Sequence, residues 1–170
     1  GYIQSANKFD RTQAGASSTN VEIRQDLVEA MRLLRAGNHT MDDTAWILNS
    51  DVWAGLMNKL SSSQDTTPFA TELLAGRLMG RPYFETNQIP NDQGAGDESE
   101  MYLVKRNYML IADADTLRMD ASRDAAYTES GSLVSAFQRD QAVYRLIGRS
   151  DFYYMYRDGA VQINAIDWNS

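Results

Sequence analysis

Near its C-terminal end the chain runs Phe152-Tyr153-Tyr154-Met155-Tyr156, then Asp158-Gly159, then Ala160 to Ile166. The first five residues form an unbroken apolar and aromatic run, which favours a buried strand. Asp158-Gly159 is a turn signal, because glycine accepts positive φ at no steric cost. The last seven alternate, with Val161, Ile163 and Ala165 on one side and Gln162 and Asn164 on the other, the period of a half-exposed strand. Upstream, Gly131 and Gly148 flank a segment whose Leu133, Phe137, Tyr144 and Ile147 also fit a helical spacing; the flanking breakers favour one long strand.

The preceding residues supply a body for these strands. Residues 1–19 are small and polar and read as an extended lead-in or linker. Thr19 followed three residues later by Glu22 is a capping box. It opens a helix to about Arg35 with Ile23, Leu27, Ala30, Met31 and Leu34 on one face. Gly37 is a stop signal, expected in the left-handed conformation. Thr44 to Leu48 predicts a strand; Asn49-Ser50-Asp51 caps a second helix reaching Leu60. Ser61 to Pro68 reads as a loop, and Phe69 to Met79 as a short helix or an irregular crossover. Strands are expected at Tyr83 to Thr86, Met101 to Val104, Tyr108 to Ala112 and Thr116 to Met119, with a loop over Ile89 to Glu100. Helix, strand, helix, then mostly strands defines an α+β chain rather than repeating βαβ units.

With 170 residues, 43% of them hydrophobic, the chain has the material for a packed core. It contains no cysteine, which excludes disulfides, thiolate chemistry and cysteine-based zinc sites. No run of about 18 apolar residues suggests a membrane span, and no signal peptide is visible. The chain starts at Gly1 rather than Met, so a processed or trimmed product is expected. The net charge of −7 repels nucleic-acid phosphate on average. Arg139, Arg145, Arg149 and Arg157 could still form a local basic patch; surface ion pairs or an interface is the plainer reading.

Catalytic candidates are sparse. His39, the single histidine, lies in a turn after the first helix and reads as a surface residue. A Ser-His-Asp relay would have to use it, and no GxSxG elbow supports one. Asp113, Asp115, Asp120 and Asp124 could offer oxygens to calcium, but the glycine and terminal glutamate of an EF-hand are missing. Gly76 to Arg81 lacks the Lys-Ser/Thr of a phosphate loop. The residues alone therefore assign no catalytic, cofactor-binding or metal site.

Four local patterns, taken in order, resemble the C-terminal part of tailed-phage major capsid proteins of the Hong Kong 97-type fold. They are Ala45-Trp46-Ile47-Leu48-Asn49-Ser50-Asp51-Val52-Trp53; Leu78-Met79-Gly80-Arg81-Pro82-Tyr83; Met101-Tyr102-Leu103-Val104 leading to Ile111-Ala112-Asp113; and Arg149-Ser150-Asp151-Phe152 with Gly159-Ala160-Val161. The resemblance spans about Thr19 to Ile166. It implies an α+β fold with an axial domain over residues 20–130 and a returning part of the peripheral domain over 131–170. It also implies an arm, extended loop and spine helix preceding Gly1, so that this stretch alone would not close shells. The function implied is structural and non-enzymatic: a head subunit of a phage or prophage, with no cofactor, assembling with itself through pentamers and hexamers into an icosahedral shell. That shell would enclose DNA without reading its sequence, and no membrane would be involved. Arg139, Arg145, Arg149, Asp151, Tyr154 and Tyr156 are the candidate subunit-interface residues. Some members crosslink a lysine to an asparagine near the returning strand; this chain has Asp140-Gln141 there, and crosslinking is not carried over. Encapsulin shells share the fold and remain an alternative. The rivals from other classes are a hydrolase using His39 with carboxylates and a peptide- or nucleic-acid-binding module using the arginines and aromatics of 137–157.

Overall fold

The structure is a computed structural model of the chain and describes residues 7–11, 19–59, 67–94, 98–113 and 117–168. The chain divides into two compact units, the first comprising residues 1–109 and 154–170, the second residues 110–153.

The first unit is built on a six-stranded mixed sheet. In chain order its elements are β1 (Lys8–Asp10), α1 (Asn20–Ala36), β2 (Thr44–Leu48), α2 (Ser50–Asn58), α3 (Ala70–Leu74), β3 (Arg77–Leu78), β4 (Arg81–Glu85), β5 (Ser99–Lys105) and a C-terminal strand at Ala160–Ile166. The strand order is β1, the C-terminal strand, β5, β2, β4, β3. β2 and β4 are parallel, with α2 and α3 in the connection that parallel pairing demands. The capping box at α1 is complete: the Thr19 side chain accepts from the Glu22 amide, and the Glu22 carboxylate accepts from the Thr19 amide at 2.7 Å. Of the expected apolar face, Ile23, Leu27, Ala30 and Leu34 are fully buried while Met31 is only partly so, and the helix packs toward the C-terminal strand. It stops at Gly37, which has φ −78°, and Asn38 rather than Gly37 takes the left-handed conformation, at φ 60°. Asn49 caps α2 by accepting from the Asp51 amide at 3.0 Å, and its amide group donates to the Ile89 carbonyl at 2.6 Å. Trp46 lies at the centre of the core and donates its indole N–H to the Leu78 carbonyl at 3.0 Å, tying β2 to β3.

Three expectations for this unit change. Residues 8–10, expected as linker, pair in parallel with Gln162 to Asn164, because an extended backbone can satisfy its donors at an open sheet edge; residues 1–6 and 12–18 lie outside the described residues. The C-terminal strand is not half-exposed. It lies between β1 and β5, which satisfy both its edges, α1 and the core cluster pack on one face, and Gln162 on the other is also buried. A bulge between Ile163 and Ile166, with Ala165 at φ 55°, shifts the phase so that both isoleucines are buried. The expected boundary near residue 130 falls inside the second unit, and the C-terminal strand shares the core of α1.

The regular elements of the second unit are strands and one 3-10 turn: β6 (Met109–Asp113, its first residue in the first unit), β7 (Arg118–Ser122), β8 (Ala126–Glu129), β9 (Ser132–Ser135), β10 (Val143–Ile147) and β11 (Ser150–Tyr154, its last residue in the first unit), the C-terminal strand of the first unit then being β12. Among the described residues they pair in twos: β7 with β10, β6 with β11, and β8 with β9. Ser130 and Gly131, at φ 49° and 81°, make the two-residue turn of the β8–β9 hairpin. The long strand expected after Gly131 is broken into β9, a 3-10 turn at Phe137–Arg139 and β10; Asp140 turns the chain at φ 52°. The run expected to be buried, Phe152 to Tyr156, is mostly exposed and leaves the strand after Tyr154, because no second layer covers β11 among the described residues.

Candidate subunit-interface surface

Strand alternation gives the β7/β10 pair two unlike faces. Met119 stands opposite Leu146 and Ala121 opposite Tyr144 on one face. Leu117 extends the same face toward Gly148, whose added Cβ would lie 3.6 Å from Leu117 Cδ1. On the other face Asp120 stands opposite Arg145. Its carboxylate accepts from Arg145 Nη2 and from Arg118 Nε, each at 3.0 Å. Those two hydrogen bonds, Arg145 first, hold the Asp120 carboxyl below its ordinary range. The apolar face has no such partners. Leu117, Met119, Tyr144 and Leu146 are 72%, 65%, 63% and 61% exposed.

The rest of the second unit repeats the pattern. Ala136 is its one fully buried apolar side chain among the described residues, while Ile111, Leu133, Phe137 and Tyr153 face solvent. Arg139 pairs with Glu129 at 2.6 Å across the β8–β9 region. Arg149 is exposed between β10 and β11, and the exposed Asp151 accepts from the Phe152 amide at 2.8 Å.

Tyr154 and Tyr156 belong to the first unit and to a different arrangement. The chain leaves that unit at residues 105–109 and returns at 154–159, and an aromatic cluster holds both passages. His39 Nδ1 lies 3.2 Å from the Tyr108 hydroxyl. Its Nε2 lies 3.1 Å from Asp158 Oδ1. Tyr156 meets the Tyr108 ring edge to face at 4.7 Å between centroids. The Tyr154 hydroxyl accepts from the Lys105 amide at 3.0 Å and donates to the Gly159 carbonyl at 2.7 Å. Burial, with the nearby Tyr108 and Asp158 charges, pushes the Tyr154 phenol up to about 12, against the lowering effect of the Lys105 backbone hydrogen bond. Lys105 Nζ donates to the Thr40 carbonyl at 2.9 Å and lies 5.3 Å from the Tyr108 ring centroid.

Of the six residues expected at an interface, Arg139, Arg145, Arg149 and Asp151 are in the second unit and Tyr154 and Tyr156 in the first. His39 is a partly buried turn residue whose side chain is largely enclosed, because the tyrosines pack around its ring. Its two nitrogens face Tyr108 and Asp158, and neither faces a serine hydroxyl as a relay would require. Among the described residues no group of three His, Asp or Glu could hold a metal ion; Asp115 lies outside them. Leu117, Met119, Leu133, Phe137 and Leu146 were missed as surface candidates. The alternation in Leu117-Arg118-Met119-Asp120-Ala121 was the available signal.

This combination of a helix-flanked sheet unit and a thin, apolar-faced strand unit is that of a Hong Kong 97-type shell protein. The sequence pattern of the phage capsid family matches residues 2–164, and the chain belongs to that family. It is 26% identical over 151 residues to the major capsid protein of Klebsiella oxytoca phage phiKO2, covering 87% of this chain and 35% of that protein. A capsid chain of an empty GTA particle superposes with a TM-score of 0.60 at 17% identity, covering 92% of this chain and 49% of its own. A chain of the holo-SrpI encapsulin complex from Synechococcus elongatus PCC 7942 superposes with a TM-score of 0.53 at 8% identity, covering 99% of this chain and 56% of its own. This chain thus spans about a third of the phage relative and about half of each solved structure.

Proposed function

We propose that this chain is part of the major capsid subunit of a tailed phage or prophage, and that copies of the subunit close into an icosahedral shell around DNA. The family match over residues 2–164 carries the reading. The physics supports it: a shell protein needs surfaces repeated around symmetry axes rather than a reactive centre. The first unit serves as the axial domain, organised around symmetry axes by a rigid sheet. The second serves as the returning part of the peripheral domain, where exposed apolar strands meet neighbours. Pentamers and hexamers are the intermediates, and the net charge of −7 suits a container that does not grip nucleic acid by sequence.

Expression of the complete reading frame in a bacterial host, followed by electron microscopy of the soluble fraction, tests this. Uniform icosahedral particles are expected. A discrete small oligomer at every concentration, with no particles, would count against it. The fold is shared with an encapsulin chain, so particle content separates the two shells. Packaged DNA in infected or induced cells supports the phage reading, and an enclosed protein cargo supports the encapsulin one.

A further inference from the structure

We infer that the contact between His39 and Asp158 is a proton-operated latch, which tightens when the imidazole takes up a proton and holds the return passage at residues 154–159 against the end of α1. The inference stands apart from the shell reading, because every group in it lies in the first unit.

Three observations carry it. The first is a ring nitrogen without a settled partner. The His39 side chain is 8% exposed. Its Nδ1 meets the Tyr108 hydroxyl at 3.2 Å, while Nε2 is buried and lies 3.1 Å from Asp158 Oδ1 without a well-directed hydrogen bond. A neutral imidazole has one N–H to share between these two oxygens. With the proton on Nδ1, the Nε2 lone pair faces a carboxylate oxygen and repels it. With the proton on Nε2, the Tyr108 hydroxyl donates to Nδ1 and the Asp158 contact is a single hydrogen bond. An imidazolium donates from both nitrogens and adds the attraction of opposite charges.

The second is the setting of the ring. The His39 amide donates to the Leu34 carbonyl at 3.4 Å, which places the residue beside the C-terminal end of α1, where positive charge is favoured. The helix end approaches the pair closely. A Cβ at Gly37 would lie 3.0 Å from His39 Cδ2 and 3.2 Å from Asp158 Oδ2, so the glycine makes room for both partners. Enclosure by the Tyr108 and Tyr156 rings opposes a charge on the imidazole. So does the Lys105 ammonium, which lies 5.3 Å from the Tyr108 ring centroid and donates to the Thr40 carbonyl. Of the other charges on these elements, Arg106 is paired with Asp43, and Arg35, Asp42 and Arg157 are exposed. Asp158 is the carboxylate paired with the ring among the described residues.

The third is what Asp158 holds. The Met155 amide donates to the Tyr108 carbonyl at 2.9 Å, joining the returning passage to the outgoing one. The Gly159 amide donates to the Tyr156 carbonyl at 2.9 Å, and its backbone lies against the Tyr108 ring. Asp158 stands between these two anchors with its carboxylate 55% exposed, so its pairing with His39 fixes the middle of the passage. Imidazoles change charge between about pH 5 and 8, where carboxylates are ionised. Above that range the contact is at most a hydrogen bond; below it the contact is an ion pair. The latch therefore tightens on acidification and loosens as the pH rises.

His39 is the single histidine, so its ring gives one unambiguous signal in NMR of the 170-residue chain. The amides of Gly37, Met155 and Gly159 should shift with the same midpoint as that ring. After correction for intrinsic rates, the Met155 and Gly159 amides should exchange about threefold or more slowly at about pH 5.5 than at about pH 8. A double-mutant cycle of His39→Gln and Asp158→Asn, read by urea unfolding of the helix signal, measures the pair itself. Its coupling should raise the folding constant about threefold to tenfold at about pH 5.5 and less than about twofold at about pH 8. Asp42→Asn, at an exposed carboxylate of the same turn, should show no such coupling with His39. Equal coupling at the two pH values, or an Asp42 coupling as large as that of Asp158, would overturn the inference. So would Met155 and Gly159 exchange that stays constant while the ring titrates, a readout that uses the wild-type chain and does not depend on any variant folding.

Discussion

Tyr154 shows how one hydroxyl can decide where a strand belongs. Its ring sits at the end of an exposed strand, yet its O–H links the Lys105 amide to the Gly159 carbonyl inside the first unit. Tyr154→Phe removes both bonds and should destabilise the first unit by about 1 kcal/mol, read by urea unfolding of the helix signal. Its pH dependence follows from the raised phenol. The neutral form is the one the fold holds, so the contribution is whole below the ordinary value of 10.0 and is lost as pH climbs through about 12. The burial-raised Tyr102 acts in the same direction. Spectrophotometric titration of tyrosinate should show late ionisation coupled to loss of helix, and Tyr154→Phe should reduce that coupling. Ionisation of every tyrosine near its ordinary value, with the fold intact, would contradict this. Gly159 is the second residue of consequence. A Cβ there would lie 2.6 Å from Tyr108 Cδ2, against a ring already packed on His39 and Tyr156. Gly159→Ala should cost about 1–3 kcal/mol and lower the melting temperature of the first unit.

At the scale of elements, local chemistry made the helices legible and non-local pairing made the strands hard. Thr19, Glu22 and the Ile23–Leu27–Leu34 stripe specify α1 from within a few residues, and the structure contains each contact. Thr19→Ala should therefore cost about 1 kcal/mol, with a matching drop in thermal midpoint, while leaving the helical content of the folded state unchanged. A neutral effect would mean that α1 is held by packing alone. β12 illustrates the opposite case. Its alternation suggested one wet face, but it is an interior strand with residues buried on both faces, and its two edge partners, Lys8 and Tyr102 beside Gln162, are far away in sequence. Gln162 could not be recognised as buried without knowing that Lys8 and Tyr102 stand beside it. Phe152 and Tyr153 misled in the other direction. Aromatic runs favour burial on average, and these are exposed because no layer covers the face of their strand among the described residues. The candidate interface was half visible for the same reason: the arginines are conspicuous in sequence, whereas an apolar face matters only once nothing is found to cover it.

For the whole molecule, the two units should differ sharply in stability. The first unit buries Trp46, Leu48, Leu103, Ile163 and many others to near-zero exposure, whereas the second buries Ala136 alone among its described apolar residues. Apolar burial is the dominant favourable contribution to folding, at about 25 cal/mol per Å² removed from water. A unit without it opens at low free-energy cost and exchanges its amides through local rather than global unfolding. In dilute solution, then, amides of β7 and β10 should exchange orders of magnitude faster than those of β5 and β12. Leu103→Ala separates the two behaviours, because Leu103 is fully buried on β5. The substitution should cost about 2–5 kcal/mol and accelerate exchange across β5 and β12, while β7 and β10 continue at their already fast rates. Equal protection of β5 and β7 would mean that the second unit is stabilised by something other than apolar burial within its described residues.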